Sequence, residues 1–151
     1  MNDLLNKYFS DPLTSEDYAE SNIFYPPAQI AVINSVEKSL GIKFPYDYID
    51  FLLMTNGYVG KLGESYSVFA QIEQIEEYSS NYGGQAFPWA IYIGTDGGNE
   101  MYIIDTRSPK YNFGLLPYIG GENDFINLGN TFEEFVRHLY YNDFWSTKNV
   151  T

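Results

Sequence analysis

Cysteine is absent from this sequence, which excludes disulfides, thiolate nucleophiles and thiolate metal sites. The absence fits a reducing compartment. Basic residues are scarce, 8 Lys and Arg against 20 Asp and Glu for a net charge of −12, and a surface of that sign repels phosphate backbones and anionic lipid. Nucleic acid and membranes are therefore poor partners and a basic protein a favourable one, although the same charge also serves solubility alone. Long apolar runs are missing too. No stretch reaches the roughly 20 apolar residues that span a bilayer, and Met1-Asn2-Asp3-Leu4-Leu5-Asn6-Lys7 lacks the basic segment, apolar run and small-residue cleavage site of a secretory signal. The expected location is the cytoplasm.

Aromatic residues, by contrast, are plentiful at 19% of the 151 residues, and 15 of them are tyrosines. A chain of this length builds one core. A tyrosine has an apolar ring and a polar tip, which suits half-exposed sheet faces and contact surfaces, so some of these rings are expected outside the core.

The central stretch runs from Trp89 to Asp105. Two β-branched and aromatic segments flank Asp96-Gly97-Gly98-Asn99, the composition of a tight hairpin. Alternation predicts Trp89, Ile91 and Ile93 on one face of the first strand, and Met101 and Ile103 on one face of the second. Before this hairpin, Ile30, Ile33, Val36 and Leu40 form the stripe of an amphipathic helix stopped by Gly41. Pro45 opens a second helix running to about Thr55 and closed by Asn56-Gly57. Tyr58-Val59-Gly60 and Tyr66-Ser67-Val68-Phe69 read as a first hairpin, residues 71–78 as a short helix or surface turn, and residues 79–85 as loop. Tyr111 to Leu116 alternates as a strand that Pro117 ends or places at an edge. Thr131-Phe132-Glu133-Glu134 matches a capping box, opening a last helix with Phe132, Phe135, Val136 and Leu139 as its stripe. The fold class is therefore α+β: a mostly antiparallel sheet of short hairpins, with an N-terminal helix pair and a C-terminal helix packed on it. The division is an arm at 1–26, appended rather than core, a domain at 27–145 and a tail at 146–151. Within the arm, Leu4, Leu5, Tyr8 and Phe9 have helical spacing and offer an edge for docking.

Three groups of residues, in order along the chain, resemble the SMI1/KNR4 family of the SUKH superfamily. The first is Ile33 and Glu37 ahead of Leu40-Gly41, then Phe44-Pro45, Tyr48, Phe51-Leu52 and Asn56-Gly57. The second is Ile91-Tyr92-Ile93-Gly94-Thr95-Asp96-Gly97-Gly98-Asn99, similar to the family's strand with its Gly-x-Asp-Gly-Gly turn, and the third is Leu128 to Phe135, similar to its closing helix. The matches cover most of residues 28–141. Departures are Phe44, where the family usually has Leu, and the long acidic arm. The resemblance implies a non-enzymatic binding module. Bacterial members look like immunity proteins that bind a toxin, often a nuclease; fungal relatives are regulators and scaffolds of cell-wall glucan synthesis, the alternative reading.

Chemistry is thinly represented. One His, His138, lies within the last helix, where a hydrolase built on a Ser–His–carboxylate arrangement is the enzymatic alternative and a surface helix residue the plainer one. No catalytic residue, metal site or cofactor is expected. Asp96, Asn99 and Glu100 carry oxygen donors of the kind calcium takes, but their spacing is not that of an EF-hand and a turn accounts for them. Glu37 and Asp105 are expected to tie helix and hairpin together, since a buried carboxylate must find donors. The surface signal remains: Glu73, Glu76, Glu77, Asp96, Glu100, Glu122 and Asp124 interleave with Tyr78, Tyr82, Tyr102 and Tyr118. Carboxylates speed the encounter with a basic target and rings supply its desolvated anchor. These residues are the expected contacts for a basic protein partner, a toxin on the family resemblance.

Overall fold

Antiparallel strands need only short turns between them, so a chain of hairpins folds as a meander in which sequence neighbours are sheet neighbours. The computed structural model describes residues 5–9, 22–84 and 86–144. Its seven strands follow that rule, each antiparallel to the next. They are β1 (Ile23–Phe24), β2 (Tyr58–Leu62), β3 (Ser65–Phe69), β4 (Ala90–Thr95), β5 (Glu100–Asp105), β6 (Asn112–Pro117) and β7 (Ile126–Asn127). The helices are α1 (Ile30–Leu40), α2 (Tyr46–Met54), α3 (Ile72–Tyr82) and α4 (Phe132–Tyr141), with a wide helical turn at Leu5–Phe9 and a 3-10 turn at Glu122–Asp124. The α+β arrangement expected from the sequence is the one adopted.

The two hairpins form where turn chemistry places them. Asp96 Oδ1 accepts from Gly98 N at 2.8 Å and Glu100 N at 3.2 Å, and Gly97 takes φ +79°, a conformation that side chains rarely tolerate. The helix cap forms by half of the expected box: Thr131 Oγ1 accepts from Glu134 N at 3.1 Å, while Glu134 Oε1 accepts from the Thr131 hydroxyl at 3.1 Å. Its helix turns Phe132, Phe135, Val136 and Leu139 inward. Against the sheet, α2 and α4 close a core of interlocked rings. Phe51 meets Phe132 at 4.8 Å between ring centroids, Phe69 meets Tyr102 at 5.2 Å, and Phe113 stacks on Phe135 at 5.8 Å.

Several expectations need correction. Part of the stretch read as lying outside the core belongs to it: Tyr8 and Phe9 are buried, Phe9 lying 4.9 Å from Tyr58 and 5.3 Å from Phe51. Ile23–Phe24 adds a strand to β2. Short aromatic segments gain far more by burial than their polar neighbours can oppose. Leu4, most of the arm (residues 10–21) and the tail lie outside the described residues. The loop expected from residue 79 is instead the last turn of α3, because β3 pairs with β4 at Val68↔Thr95 and Phe69↔Gly94 and then leaves the sheet. The helix runs beside the first half of β4, where Ser79 Oγ accepts the Tyr92 N–H at 2.9 Å. A polar residue thus completes the buried stripe of Ile72 and Ile75. In β4 the register shifts between Tyr92 and Gly94, a bulge that breaks the alternation expected of Ile91 and Ile93, and Trp89 lies before the first residue of the strand and packs against Phe125. Glu37 binds the Phe44 N–H at 2.7 Å, so it ties α1 to the link before α2 rather than to the hairpin.

A sheet face built from tyrosines

Residues directly opposite one another in an antiparallel pair share a face. Ile103 lies opposite Tyr92 and Gly114, and Met101 opposite Leu116, so Met101 and Ile103 share a face as expected. Their neighbour Tyr102 points the other way, to Phe135 on α4 at 5.3 Å. The face carrying Tyr92 is therefore the one turned away from α2 and α4.

Three of the tyrosines read as surface residues converge there on Tyr92. Its ring lies 5.2 Å from Tyr78 and 5.4 Å from Tyr82, and Tyr82 packs edge-on to Tyr118 at 5.1 Å. The hydroxyls of Tyr92 and Tyr118 stand 3.5 Å apart. Burial pushes the Tyr92 phenol well above its usual value, with the Tyr118 hydroxyl adding to the effect. Tyr82 is 46% exposed and forms the open rim of the cluster.

A second group closes the other part of this face. The Arg107 guanidinium lies 3.7 Å over the Trp89 ring and 5.9 Å from Phe125, a cation on aromatic faces. It also forks onto buried Asp105, Nε to Oδ1 and Nη2 to Oδ2 both at 2.9 Å, and reaches Glu122 Oε2 at 3.0 Å. Its pKa is raised, first by the Asp105 hydrogen bond. Asp105 thus fastens the end of the hairpin to the following turn. Gly114 lets the 118–127 segment come down on the sheet, since a Cβ there would stand 2.0 Å from Ile126 O and 2.6 Å from the Phe125 ring.

The structure separates the remaining expected contacts. Glu73 accepts from Asn56 Nδ2 at 2.8 Å and Glu76 from the Ser39 hydroxyl. Residues two apart on a helix do not share a side, so Glu76 faces away from Tyr78. Glu77 is exposed on α3. Asp96 caps its own turn, Glu122 pairs with Arg107 and Asp124 Oδ2 accepts from Gly121 N at 2.9 Å, the last two carboxylates remaining exposed. Two expectations fail outright. Tyr102 is 1% exposed, its hydroxyl 2.7 Å from Ser67 Oγ, and Glu100 is 6% exposed. Both lie on β5, which has β4 on one side and β6 on the other, so neither is a surface contact. Sequence reasoning also passed over Tyr92, Trp89 and Arg107 as site residues; the available signal was an arginine two residues after a strand-end carboxylate.

His138 Nδ1 lies 2.7 Å from Asp143 Oδ1 at the exposed end of α4. Among the described residues no three His, Asp or Glu side chains gather as a metal centre requires, and no helix is long and apolar enough to cross a membrane. A cavity of about 270 Å³ lies among Tyr66, Asp96, Tyr102, Leu139 and Asn142.

The sequence profile of the SMI1 / KNR4 family (SUKH-1) matches residues 27–138. The chain belongs to that family. It is also 32% identical over 113 residues to the Uncharacterized protein YnaB of Bacillus subtilis (strain 168), covering 73% of this chain and 74% of that protein. In this SMI1/KNR4 chain the matched span holds both hairpins and the whole tyrosine face. It leaves out β1 and the turn carrying Tyr8 and Phe9.

Proposed function

We propose that this SMI1/KNR4 chain is a protein-binding module of the immunity type, which neutralises a cognate bacterial toxin in the cytoplasm by gripping it and performs no chemistry of its own. The observation that carries the reading is the tyrosine face on a body of net charge −12. Rings with one wet edge supply desolvated anchors at low conformational cost, while carboxylates raise the encounter rate with a cationic protein. A nuclease toxin has such a surface, because it must attract a phosphate backbone.

The test is direct. A toxin domain encoded beside this chain is purified, and its activity is measured with increasing amounts of the protein. Stoichiometric inhibition with nanomolar binding is expected. Absence of binding, or recovery of cell-wall synthesis proteins in place of a toxin, would overturn the immunity reading in favour of a regulatory scaffold.

A further inference from the structure

Ile119 is 95% exposed, the most open large apolar side chain among the described residues. Exposed tyrosines such as Tyr46 and Tyr141 carry a hydroxyl that water can satisfy; isoleucine has none. The loop that presents Ile119 is also held at both ends. Tyr118 N donates to Asn99 O at 3.0 Å and its ring packs on Tyr82 at 5.1 Å. Beyond it, Asp124 N donates to Gly121 O at 2.9 Å, and Arg107 grips Glu122 at 3.0 Å. An apolar group already fixed in place loses little freedom on binding, so more of its burial energy appears as affinity.

Resting on the binding role proposed above, we infer that the Tyr118–Asp124 loop, with Ile119 as its apolar anchor and Tyr82 beside it, is the surface that seats the cationic partner. The occupant has an apolar recess ringed by Lys or Arg. Ile119 enters the recess, and Asp124 and Glu122 meet the rim. Gly121 leaves room for the partner's backbone, having no heavy atom within 4 Å of where a Cβ would stand. A second copy of this chain is a poor occupant, because it brings another −12 to the same contact.

The experiment titrates the toxin domain encoded beside this chain with wild type, Ile119→Ala, Ile119→Asp and Tyr46→Ser, the last an exposed residue on α2, outside the loop. Unchanged melting temperatures establish that the variants fold. Binding by the wild type, weakened at least about thirtyfold by Ile119→Asp and within about threefold of wild type for Tyr46→Ser, is the expected result. Wild-type affinity in both Ile119 variants would overturn this surface while leaving the binding role intact. No binding by any of the four proteins would overturn the role itself. A concentration-dependent dimer abolished by Ile119→Asp would assign the loop to self-association instead.

Discussion

The two faces of the central sheet are closed by different residues. On the side of α2 and α4, Phe51, Phe69, Phe113, Phe132 and Phe135 interlock with buried Tyr48 and Tyr102. On the other, Tyr78 and Tyr82 from α3, Tyr92, Tyr118 and the Trp89–Arg107 stack cover the strands. A phenylalanine gains only by leaving water, so its face must be shut. Tyrosine can be left half open without penalty to its hydroxyl, and a face made of it remains available for contact. The closed face thus carries stability, and the tyrosine face is the one we propose for recognition.

Alkaline pH should produce the largest effect. Burial raises the phenol pKa of Tyr48, Tyr58 and Tyr102 on the closed face and of Tyr92 on the open one. In the unfolded chain these groups ionise near pH 10, so their contribution is fully present below about pH 10 and is lost as pH rises toward the folded values. Denaturant midpoints flat from pH 7 to about 10 and falling steeply above are expected; a decline starting near neutrality would contradict the assignment. Next, Phe132→Ala should cost about 3–5 kcal/mol, whereas Tyr82→Ala should stay within about 1 kcal/mol. Equal losses in urea unfolding would erase the contrast between the faces. Asp105→Ala strips Arg107 of its fork and should cost about 1–3 kcal/mol, with most of the loss absent when Arg107→Ala is already in place. The smallest effects differ in sign. The buried Tyr48 hydroxyl has no hydrogen-bond partner among the described residues, so Tyr48→Phe should leave stability unchanged or raise it by up to about 1 kcal/mol. Tyr92→Phe, which removes the contact with Tyr118, should lower it by less than about 1 kcal/mol.

Much of this architecture was legible residue by residue. The stripe around Ile33, the Asp96-Gly97 turn, the Thr131 cap and the order of the hairpins all follow from neighbours within a few positions. Ser79 and Tyr82 were read as loop because a serine looks wrong in a buried stripe until β3 is seen to leave β4 and expose a backbone N–H for it to accept. Tyr102 was read as surface because its alternation with Met101 and Ile103 gives no sign that both faces of β5 are covered. Of the expected contacts, Tyr78, Tyr82 and Tyr118 come together, while Glu73 and Glu76 turn toward Asn56 and Ser39.

Composition and short-range pattern were enough for the class of fold, for the positions of turns and caps, and for an acidic body rich in tyrosine, because each depends on a residue's own preferences and those of its near neighbours. Which rings ended in the core, which four met on the tyrosine face, and that Arg107 belongs beside them were settled by strand register, by the bulge in β4 and by the segment folding over Gly114. Those are contacts between distant parts of the chain, and their energies exist only once the sheet has brought the parts together.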